Sequence, residues 1–435
     1  MSTEHVKKSH LPSGLRVITE TLPDRESISI GVWVEVGSRH ESPEVAGVSH
    51  FLEHMVFKGT PTRSSKHIAI ELERLGGVLN AFTTREHTCY HARILNDDLP
   101  VAVDLLADLA TRALIPAQEV IKERKVISEE IKDSQDTPHE HVHDVFAEQM
   151  WPGESIGRPI AGSLGTVGET TRNWLAAHRA RYYRPDRMVV AASGALSHAK
   201  LLGLVKKHFR FEKAKTPMPE VKFVNGVLPQ RAVTQRDINQ THVVLGFPTW
   251  PFVDRRRYAA LVTTNLLGGG MSSRLFQTVR EKRGLVYSIY AFQDSFVDTG
   301  FFAVYFACEP GQVVVATELV LDELGRINRQ TVPTEELQDA KSQLKGNLAL
   351  GLESTSSRMH RLARHELYLG DYVAPKQTMK SIGKVSAADI HEVAREAFTP
   401  DRVALSVLGP VDDSLLSSID WRKLEMGRAK KARKA

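Results

Sequence analysis

The segment Val48-Ser-His-Phe-Leu-Glu-His-Met-Val-Phe57 decides how the rest of this sequence is interpreted. Its apolar residues recur at helical spacing along one side, which predicts a helix over residues 44–57. At about 100° per residue, His50, Glu53 and His54 fall together on the other side. We therefore expect one face of this helix to lie in a core and the other to present two imidazoles and a carboxylate to a cavity.

This polar face has the chemistry of a zinc site. Two neutral imidazoles one turn apart can bind a single zinc ion, which in catalytic sites usually takes three protein ligands and a water. Zinc lowers the pKa of that water to about 7. A carboxylate that does not bind the metal can accept the proton of the water and pass it to a leaving amine. The order His-x-x-Glu-His is that of the inverted zinc-peptidase motif, although three such residues can also share a helix by chance.

The composition is that of a globular chain with more than one domain. The sequence has 435 residues, of which 42% are hydrophobic and 25% charged, and this length exceeds that of one ordinary core. No apolar run reaches the ~20 residues of a membrane span, and the first residues have neither a signal-peptide nor a presequence pattern. Two cysteines, Cys89 and Cys308, are too few for a disulfide framework. We expect a protein of a reducing compartment, by default a bacterial cytoplasm, without membrane association, and a mature organelle protein is the alternative that these features leave open.

The net charge of +5 is concentrated at the end of the chain. Five basic residues in the last eight positions account for the whole excess of positive charge: Arg428, Lys430, Lys431, Arg433 and Lys434. We expect a solvated, disordered tail, with nucleic-acid binding by the tail as the alternative. Elsewhere no segment interleaves basic and aromatic residues, so a nucleic-acid partner is not expected.

An internal repeat relates the two halves of the sequence. Pro185-Asp-Arg-Met-Val-Val-Ala-Ala-Ser-Gly194 recurs as Pro400-Asp-Arg-Val-Ala-Leu-Ser-Val-Leu-Gly409, at an offset of 215, and a strand-like segment near the start of each half matches at the same offset. Applied to His50 and His54, this offset reaches Asn265 and Gly269. The second half is therefore predicted to contain an equivalent helix without metal ligands.

The repeat and the interleaving of helical and strand patterns predict the fold class. We expect a layered α/β (α+β) chain of two homologous domains, each a mostly antiparallel sheet packed with helices. The predicted boundaries are a zinc-binding domain over residues 1–213, a Lys- and Pro-rich linker over 214–231, a ligand-less domain over 232–420 and a basic tail over 421–435.

A third zinc ligand is expected on a helix predicted over residues 118–133. Glu123 and Glu130 are seven residues apart and share one face of that helix, whereas Glu129 is rotated by about 100°. Periodicity does not choose between Glu129 and Glu130. A solvated acidic face without any metal is the alternative interpretation.

A second motif, His139-Glu-His-Val-His143, satisfies the forward zinc pattern His-Glu-x-x-His. Its surroundings are mostly polar, Pro138 would begin a helix there, and Phe146 stands three residues after the motif, so no third ligand follows at metzincin spacing. We do not expect a catalytic site at this motif, and incidental metal binding stays open. His87 and His91 on a strand would spread along one side, which favours structural roles.

Together the motifs resemble those of the pitrilysin/insulysin family of inverted-motif zinc metallopeptidases. The resemblance covers about residues 10–415. It is strongest to the half-length subfamily, which includes bacterial processing-type proteases and the mitochondrial processing peptidase. The segments that carry it in the first half are Gly14-Leu-Arg-Val-Ile-Thr-Glu20, Gly37-Ser-Arg-His-Glu41, the stretch over residues 47–60, the stretch over residues 80–90, and Gly157-Arg-Pro-Ile160.

The resemblance implies roles for residues of the first half. His50, His54 and Glu130 match the ligands of one zinc ion per chain, and Glu53 matches the general base that activates the zinc-bound water. Glu123 matches an acidic residue that supports the ligands.

The resemblance also implies where peptide substrates bind. Asn80 and Ala81 match the strand edge on which the family pairs its substrate by β-augmentation. In the second half, Arg280 and Tyr287 match a pair that grips the substrate backbone and stabilises the oxyanion. The long glycine-rich loop of the processing peptidase's noncatalytic subunit is not seen in the sequence.

The function implied is that of a zinc metalloendopeptidase that cleaves peptides or unfolded segments in a chamber between paired subunits. Full-length members of the family enclose substrate with four such domains, so this chain is expected to form a homodimer or a heterodimer with a related chain. Arg280 and Tyr287 would then complete the site of the opposite subunit. The alternatives are a noncatalytic core-type scaffold subunit and a chain that binds peptides but needs an unseen partner to cleave them.

Overall fold

The computed structural model describes residues 5–74, 77–211, 224 and 226–425. The chain forms two compact units, each around one β-sheet. Unit 1 draws on Met1–Ser134, Glu154–Lys222 and Leu348–Lys376. Unit 2 draws on Gln135–Gly153, Phe223–Asn347 and Gln377–Ala435.

Eleven strands are found in the described part of the chain. In chain order they are β1 (Val6–His10), β2 (Arg16–Thr21), β3 (Ser27–Val34), β4 (Val78–Thr83), β5 (Thr88–Leu95), β6 (Met188–Gly194), β7 (Arg231–Gln235), β8 (Thr241–Thr249), β9 (Val286–Ser295), β10 (Gly300–Cys308) and β11 (Ala404–Gly409). Unit 1 has the order β1-β2-β6-β3-β5-β4 and unit 2 the order β7-β11-β8-β10-β9. Only β2 with β6 and β7 with β11 pair in parallel; the other neighbours are antiparallel.

Helices pack on these sheets, as the interleaved sequence patterns predict. They are α1 (Val48–Val56), α2 (Ser65–Arg74), α3 (Leu99–Arg112), α4 (Ala117–Asp136), α5 (Pro138–Met150), α6 (Leu164–Glu169), α7 (Arg172–Tyr182), α8 (His198–His208), α9 (Arg257–Gly268), α10 (Val313–Arg329), α11 (Thr334–Gly351), α12 (Thr355–Leu369), α13 (Pro375–Lys384), α14 (Ala387–Ala397) and α15 (Leu415–Ser418). The layered fold with two related sheets confirms the predicted fold class.

The duplication extends through the whole fold. The unit 2 order repeats the order β2-β6-β3-β5-β4 of unit 1, to which β1 adds an edge strand. The offset of 215 places α7 on α14 with identical bounds and relates α5 to α12. The repeat found in the sequence is therefore a repeat of complete supersecondary structure.

The two halves of the chain exchange one helix each. α5, from the first half, packs on β8 and β11 of unit 2, and α12, from the second half, packs on β2, β3 and β6 of unit 1. In unit 1, this second face of the sheet is apolar: Trp33, Val189 and Ala191 cluster with Met359 and Leu362 of α12. The predicted division at residues 214–231 places α5 with the first sheet and α12 with the second, which is the reverse of the structure. The apolar face of a helix does not reveal which sheet the helix will cover.

Parts of the predicted boundaries fall outside the described residues. These parts are residues 214–223 and 225 of the linker and residues 426–435 of the tail. Among the residues that are described, no helix combines the length and the apolar character that crossing a membrane requires.

Helix α1 begins later than the predicted residue 44. Pro43–Val45 forms a separate 3-10 turn, and Gly47 takes a left-handed conformation with φ of 92° immediately before Val48. A Cβ at Gly47 would lie 2.4 Å from the carbonyl oxygen of Ala161. Glycine is thus required where the chain turns into α1.

Replacing Gly47 by alanine should therefore destabilise unit 1. The strained φ and the contact with Ala161 are expected to cost about 2 kcal/mol or more. Urea-induced unfolding followed by circular dichroism would measure the loss.

The matched control is Gly203→Ala in α8, where an added Cβ meets nothing within 4 Å. This variant should be neutral or gain up to about 1 kcal/mol, because alanine is the better helix former. Equal unfolding midpoints for the two variants would contradict the role assigned to Gly47.

Candidate metal centre

Helix α1 buries the face that the sequence predicts. Phe51, Leu52, Met55 and Val56 are fully buried in the core of unit 1. The first turn is capped by Glu41, whose carboxylate oxygens accept the backbone N–H groups of Gly47 and Ser49, each at 2.7 Å. A carboxylate at this helix end is stabilised by the helix dipole and satisfies two otherwise unpaired donors.

On the opposite side of α1, the structure brings His50, His54 and Glu130 together. Their ligand atoms all lie within 4.8 Å of one another. His50 Nε2 is 3.7 Å from Oε1 of Glu130, and His54 Nε2 is 3.6 Å from Oε2. Ligand atoms about 2.1 Å from a tetrahedral zinc are separated by roughly 3.4 Å, so two imidazoles and a carboxylate at these distances fit a zinc ion.

The orientation of α4 distinguishes Glu130 from its neighbour. Glu130 faces α1, whereas Glu129 is largely exposed and pairs with Lys132 at 2.7 Å. The position of α4 thus places Glu130, and not Glu129, beside the two histidines, and its role as the third ligand stays a prediction.

Glu123 contacts the ring nitrogen of His54 that is not directed at Glu130. Its Oε1 accepts the Nδ1–H of His54 at 2.9 Å, and its Oε2 pairs with Lys58 Nζ at 2.5 Å. Burial raises the pKa of Glu123, but the bonds from Lys58 and His54 outweigh it and the net shift is downward. When Nδ1 of His54 is the donor in this bond, Nε2, which lies 3.6 Å from Glu130, is the ring atom that can bind a metal.

His50 is also prepared to act as a ligand. Burial, with a smaller contribution from His54, lowers the pKa of His50 to about 4. The imidazole is therefore neutral at pH 7, the form that binds metals. Its buried Nδ1 has no hydrogen-bond partner in the described part of the chain.

Glu53 lies beside this group without belonging to it. Its Oε2 accepts a hydrogen bond of 2.5 Å from the hydroxyl of Thr83 on β4. Burial raises the pKa of Glu53, and the nearby carboxylate of Glu130 adds to that rise. A carboxylate with a raised pKa is suited to accept and return a proton near neutral pH.

Asn80 and Ala81 lie where the resemblance implies, on the edge strand of unit 1. They pair with His91 and Tyr90 of β5, and no described strand pairs with the other side of β4. The Asn80 side chain accepts the N–H of Ala81 at 2.8 Å. The outer edge of β4 can therefore pair with an extended peptide.

Unit 2 brings Arg280 and Tyr287 together. Arg280 lies in a π-helical segment, Phe276–Glu281, and its guanidinium is 5.4 Å from the centre of the Tyr287 ring and 4.5 Å from that of Phe276. Tyr287 lies on β9 and is 80% exposed. The predicted pair is thus a contacting, accessible pair, and its role stays a prediction.

In unit 2, other residue types stand at the positions that correspond to the candidate metal ligands of unit 1. Asn265 in α9 donates its amide hydrogens to the carbonyl of Ala340 and the side chain of Gln343, at 3.1 and 2.9 Å. Gly269 and Lys345 stand at the offsets of His54 and Glu130. The structure thus has a helix, α9, at the predicted position, and the absence of metal binding there stays a prediction.

His143 of the forward motif on α5 contacts aromatic side chains of β9 and β10. His143 stacks on Tyr305, with ring centres 5.5 Å apart, and its Nε2 lies 3.3 Å from the Tyr290 hydroxyl. Among the described residues, only His50, His54 and Glu130 bring three potential ligand atoms together. His87 and His91 both pack against Phe82, as structural residues would.

Three residues of the site are missed by the sequence reasoning. Lys58 follows His54 by one helical turn, so helical spacing could have placed it near Glu123. Thr83 follows Ala81 by two residues on a strand, so period-two alternation could have placed it on the face toward α1. Glu41 lies in a loop, where no periodicity indicates its contact with α1.

Comparison with known proteins shows which family the chain is similar to. The model of the insulinase family, peptidase family M16, matches residues 16–164, and the model of the M16 inactive domain matches residues 170–344. An uncharacterized zinc protease of Mycobacterium tuberculosis (strain ATCC 25618 / H37Rv) is 44% identical over 93% of each chain.

Solved structures share the fold. A protease from Helicobacter pylori aligns with a TM-score of 0.87 at 24% identity, over 93% of this chain and 99% of that one. A chain of complex III from Candida albicans, with Inz-5 bound, aligns with a TM-score of 0.82 at 21% identity, over 96% and 98%.

The ligand assignment on α4 can be tested by metal content. Glu130→Gln should bind zinc at least about ten-fold more weakly than the wild type, because one charged ligand is lost. Elemental analysis after dialysis, and a titration against a competing chelator, would measure stoichiometry and affinity.

The neighbouring Glu129→Gln is the matched control and should keep the wild-type affinity. Equal affinities for the two variants would show that Glu130 is not a ligand.

Proposed function

We propose that this chain, which belongs to the insulinase family of peptidases (peptidase family M16), is a zinc-dependent endopeptidase. The observation that carries the proposal is the convergence of His50, His54 and Glu130, with the carboxylate of Glu53 held beside them. The description of the mycobacterial relative as a zinc protease supports the same class of enzyme.

His50 Nε2, His54 Nε2 and the Glu130 carboxylate would hold the metal. Zinc, when bound, supplies a Lewis acid and lowers the pKa of a water ligand. Glu123 and Lys58 keep the His54 ring in its tautomer and orientation. Glu53 accepts a proton on its carboxylate and returns it to the amine nitrogen of the leaving group.

The remaining predicted residues act on the peptide. The edge of β4 at Asn80 and Ala81 holds the peptide backbone extended by main-chain hydrogen bonds. The guanidinium and phenol of Arg280 and Tyr287 stabilise negative charge that develops on the carbonyl oxygen of the scissile bond. Supporting this role, the two side chains are accessible and in contact with each other.

We further propose that the enzyme works as a homodimer, or as a heterodimer with a related chain, in a bacterial cytoplasm. Each chain offers one ligand group among its described residues, which fits one zinc ion per chain. Peptides or unfolded segments would be cleaved in a chamber between the paired subunits. Bacterial relatives of nearly equal length support the assignment to bacteria.

A noncatalytic scaffold subunit is the second candidate. The fold shared with a chain of complex III from Candida albicans favours it. The complete ligand group and the placement of Glu53 favour the peptidase, because a scaffold needs neither.

Replacing the proposed base separates the two candidates. Glu53→Gln should lower peptide hydrolysis by about 10²- to 10⁴-fold while zinc content stays at the wild-type level. A peptide-library digest analysed by mass spectrometry would measure cleavage, with elemental analysis in parallel.

Glu44→Gln, a change at an exposed glutamate ahead of α1, should leave hydrolysis unchanged. A wild-type chain that binds zinc but cleaves no library peptide at a higher rate than Glu53→Gln would refute the peptidase.

Sharing of residues between subunits can be tested by complementation. Glu53→Gln and Arg280→Ala should each be inactive alone. If each site takes Arg280 from the partner, random mixing should restore about a quarter of the wild-type activity, because half of the dimers are mixed and each contains one intact site. Mixed dimers that form, as shown by native mass spectrometry, but remain inactive would exclude sharing in trans.

A further inference from the structure

We propose that Thr83 is a positioning residue that fixes the Glu53 carboxylate from the same strand edge that would bind the peptide. This inference rests on the proposed function, because it takes Glu53 as the proton acceptor. The observation behind it is the hydrogen bond of 2.5 Å from Thr83 Oγ1 to Glu53 Oε2.

This bond makes the two carboxylate oxygens of Glu53 different. A hydroxyl-to-carboxylate bond of this length is short and charge-assisted. The terminal torsion of a glutamate is soft, so a fixed donor decides which oxygen turns toward the site. Within the described part of the chain, Oε1 accepts no hydrogen bond. Thr83 therefore holds Oε2 and leaves Oε1 to take the proton.

The position of Thr83 on β4 determines the side of the sheet on which its hydroxyl lies. Leu79 and Ala81 of β4 pack against the core that contains α1, whereas Phe82 packs in the cluster on the other face of the sheet. Alternation therefore directs Thr83 toward α1. Its neighbour across the hairpin is Thr88, whose hydroxyl lies 3.4 Å from that of Thr83 and donates to the Val36 carbonyl at 2.9 Å.

Strand β4, which carries Thr83, is also the strand at which the peptide is proposed to bind. β4 is the edge strand, and Asn80 and Ala81 precede Thr83 by three and two residues. A peptide that pairs with this edge would order the strand that carries the Thr83 hydroxyl. Since the hydroxyl touches the base and not the peptide, its loss should affect the chemical step more than peptide binding.

The test compares variants at position 83 with a control at position 21. Thr83→Val keeps the shape but removes the hydroxyl, and it should lower kcat at least about ten-fold with KM within about two-fold of the wild type. Thr83→Ser restores the donor and should recover kcat to within about three-fold. Zinc content, measured by elemental analysis, should be unchanged in both. Thr83→Ala is measured alongside, so that a failure of the valine variant to fold does not decide the result.

Thr21→Val is the matched control. It removes a threonine hydroxyl from another strand of unit 1, β2, where the partner is the Leu196 carbonyl at 3.1 Å and not Glu53. Its kcat should stay within about two-fold of the wild type.

Two results would overturn the inference. One is an unchanged kcat in Thr83→Val and Thr83→Ala. The other is an equal loss of kcat in Thr83→Val and Thr83→Ser, which would indicate a purely steric role. Failure of the proposed function gives a different result, in which wild type and Glu53→Gln hydrolyse peptides at the same rate.

Discussion

The burial of the apolar face of α1 is the interaction on which the candidate metal centre depends. Each large side chain on that face contributes about 1.5–3 kcal/mol when it is fully buried. Phe51, Leu52, Met55 and Val56 are all in this state. This burial fixes the rotation of α1 about its axis, so that His50 and His54 must face α4. It also offsets the cost of keeping a neutral imidazole and a carboxylate, Glu53, away from water.

Duplication provides the second constraint. The two sheets share one topology, yet α5 and α12 exchange places, so neither half of the sequence supplies all the layers of a unit. The sheet of unit 1 would expose Trp33 and Val189 without α12. Each unit therefore contains segments from both halves of the chain. Domain boundaries drawn as two contiguous ranges cannot describe such an arrangement.

Much of the site follows from periodicity, and the rest depends on tertiary placement. Helical spacing is enough to put His50, Glu53 and His54 on one face, because a single helix determines it. The choice between Glu129 and Glu130 requires the position of α4 relative to α1, which no spacing within α4 contains; the family resemblance implied Glu130, and the geometry places it there. The late start of α1 does not follow from helical spacing, because it depends on the backbone conformation of Gly47 beside Ala161.

The two halves have diverged in complementary ways. In unit 1 the helix after the third strand carries the candidate ligands His50 and His54, whereas in unit 2 the position equivalent to His50 is occupied by Asn265, which is hydrogen-bonded to Ala340 and Gln343. Unit 2 has instead the π-helical segment Phe276–Glu281, a rare conformation that is frequent at functional sites. At the offset of 215, unit 1 has only the turn that leads into α2 at Ser65. Unit 2 is therefore not simply a copy of unit 1 without the candidate ligands, because it contains a contacting Arg280–Tyr287 pair next to a segment that the described part of unit 1 lacks.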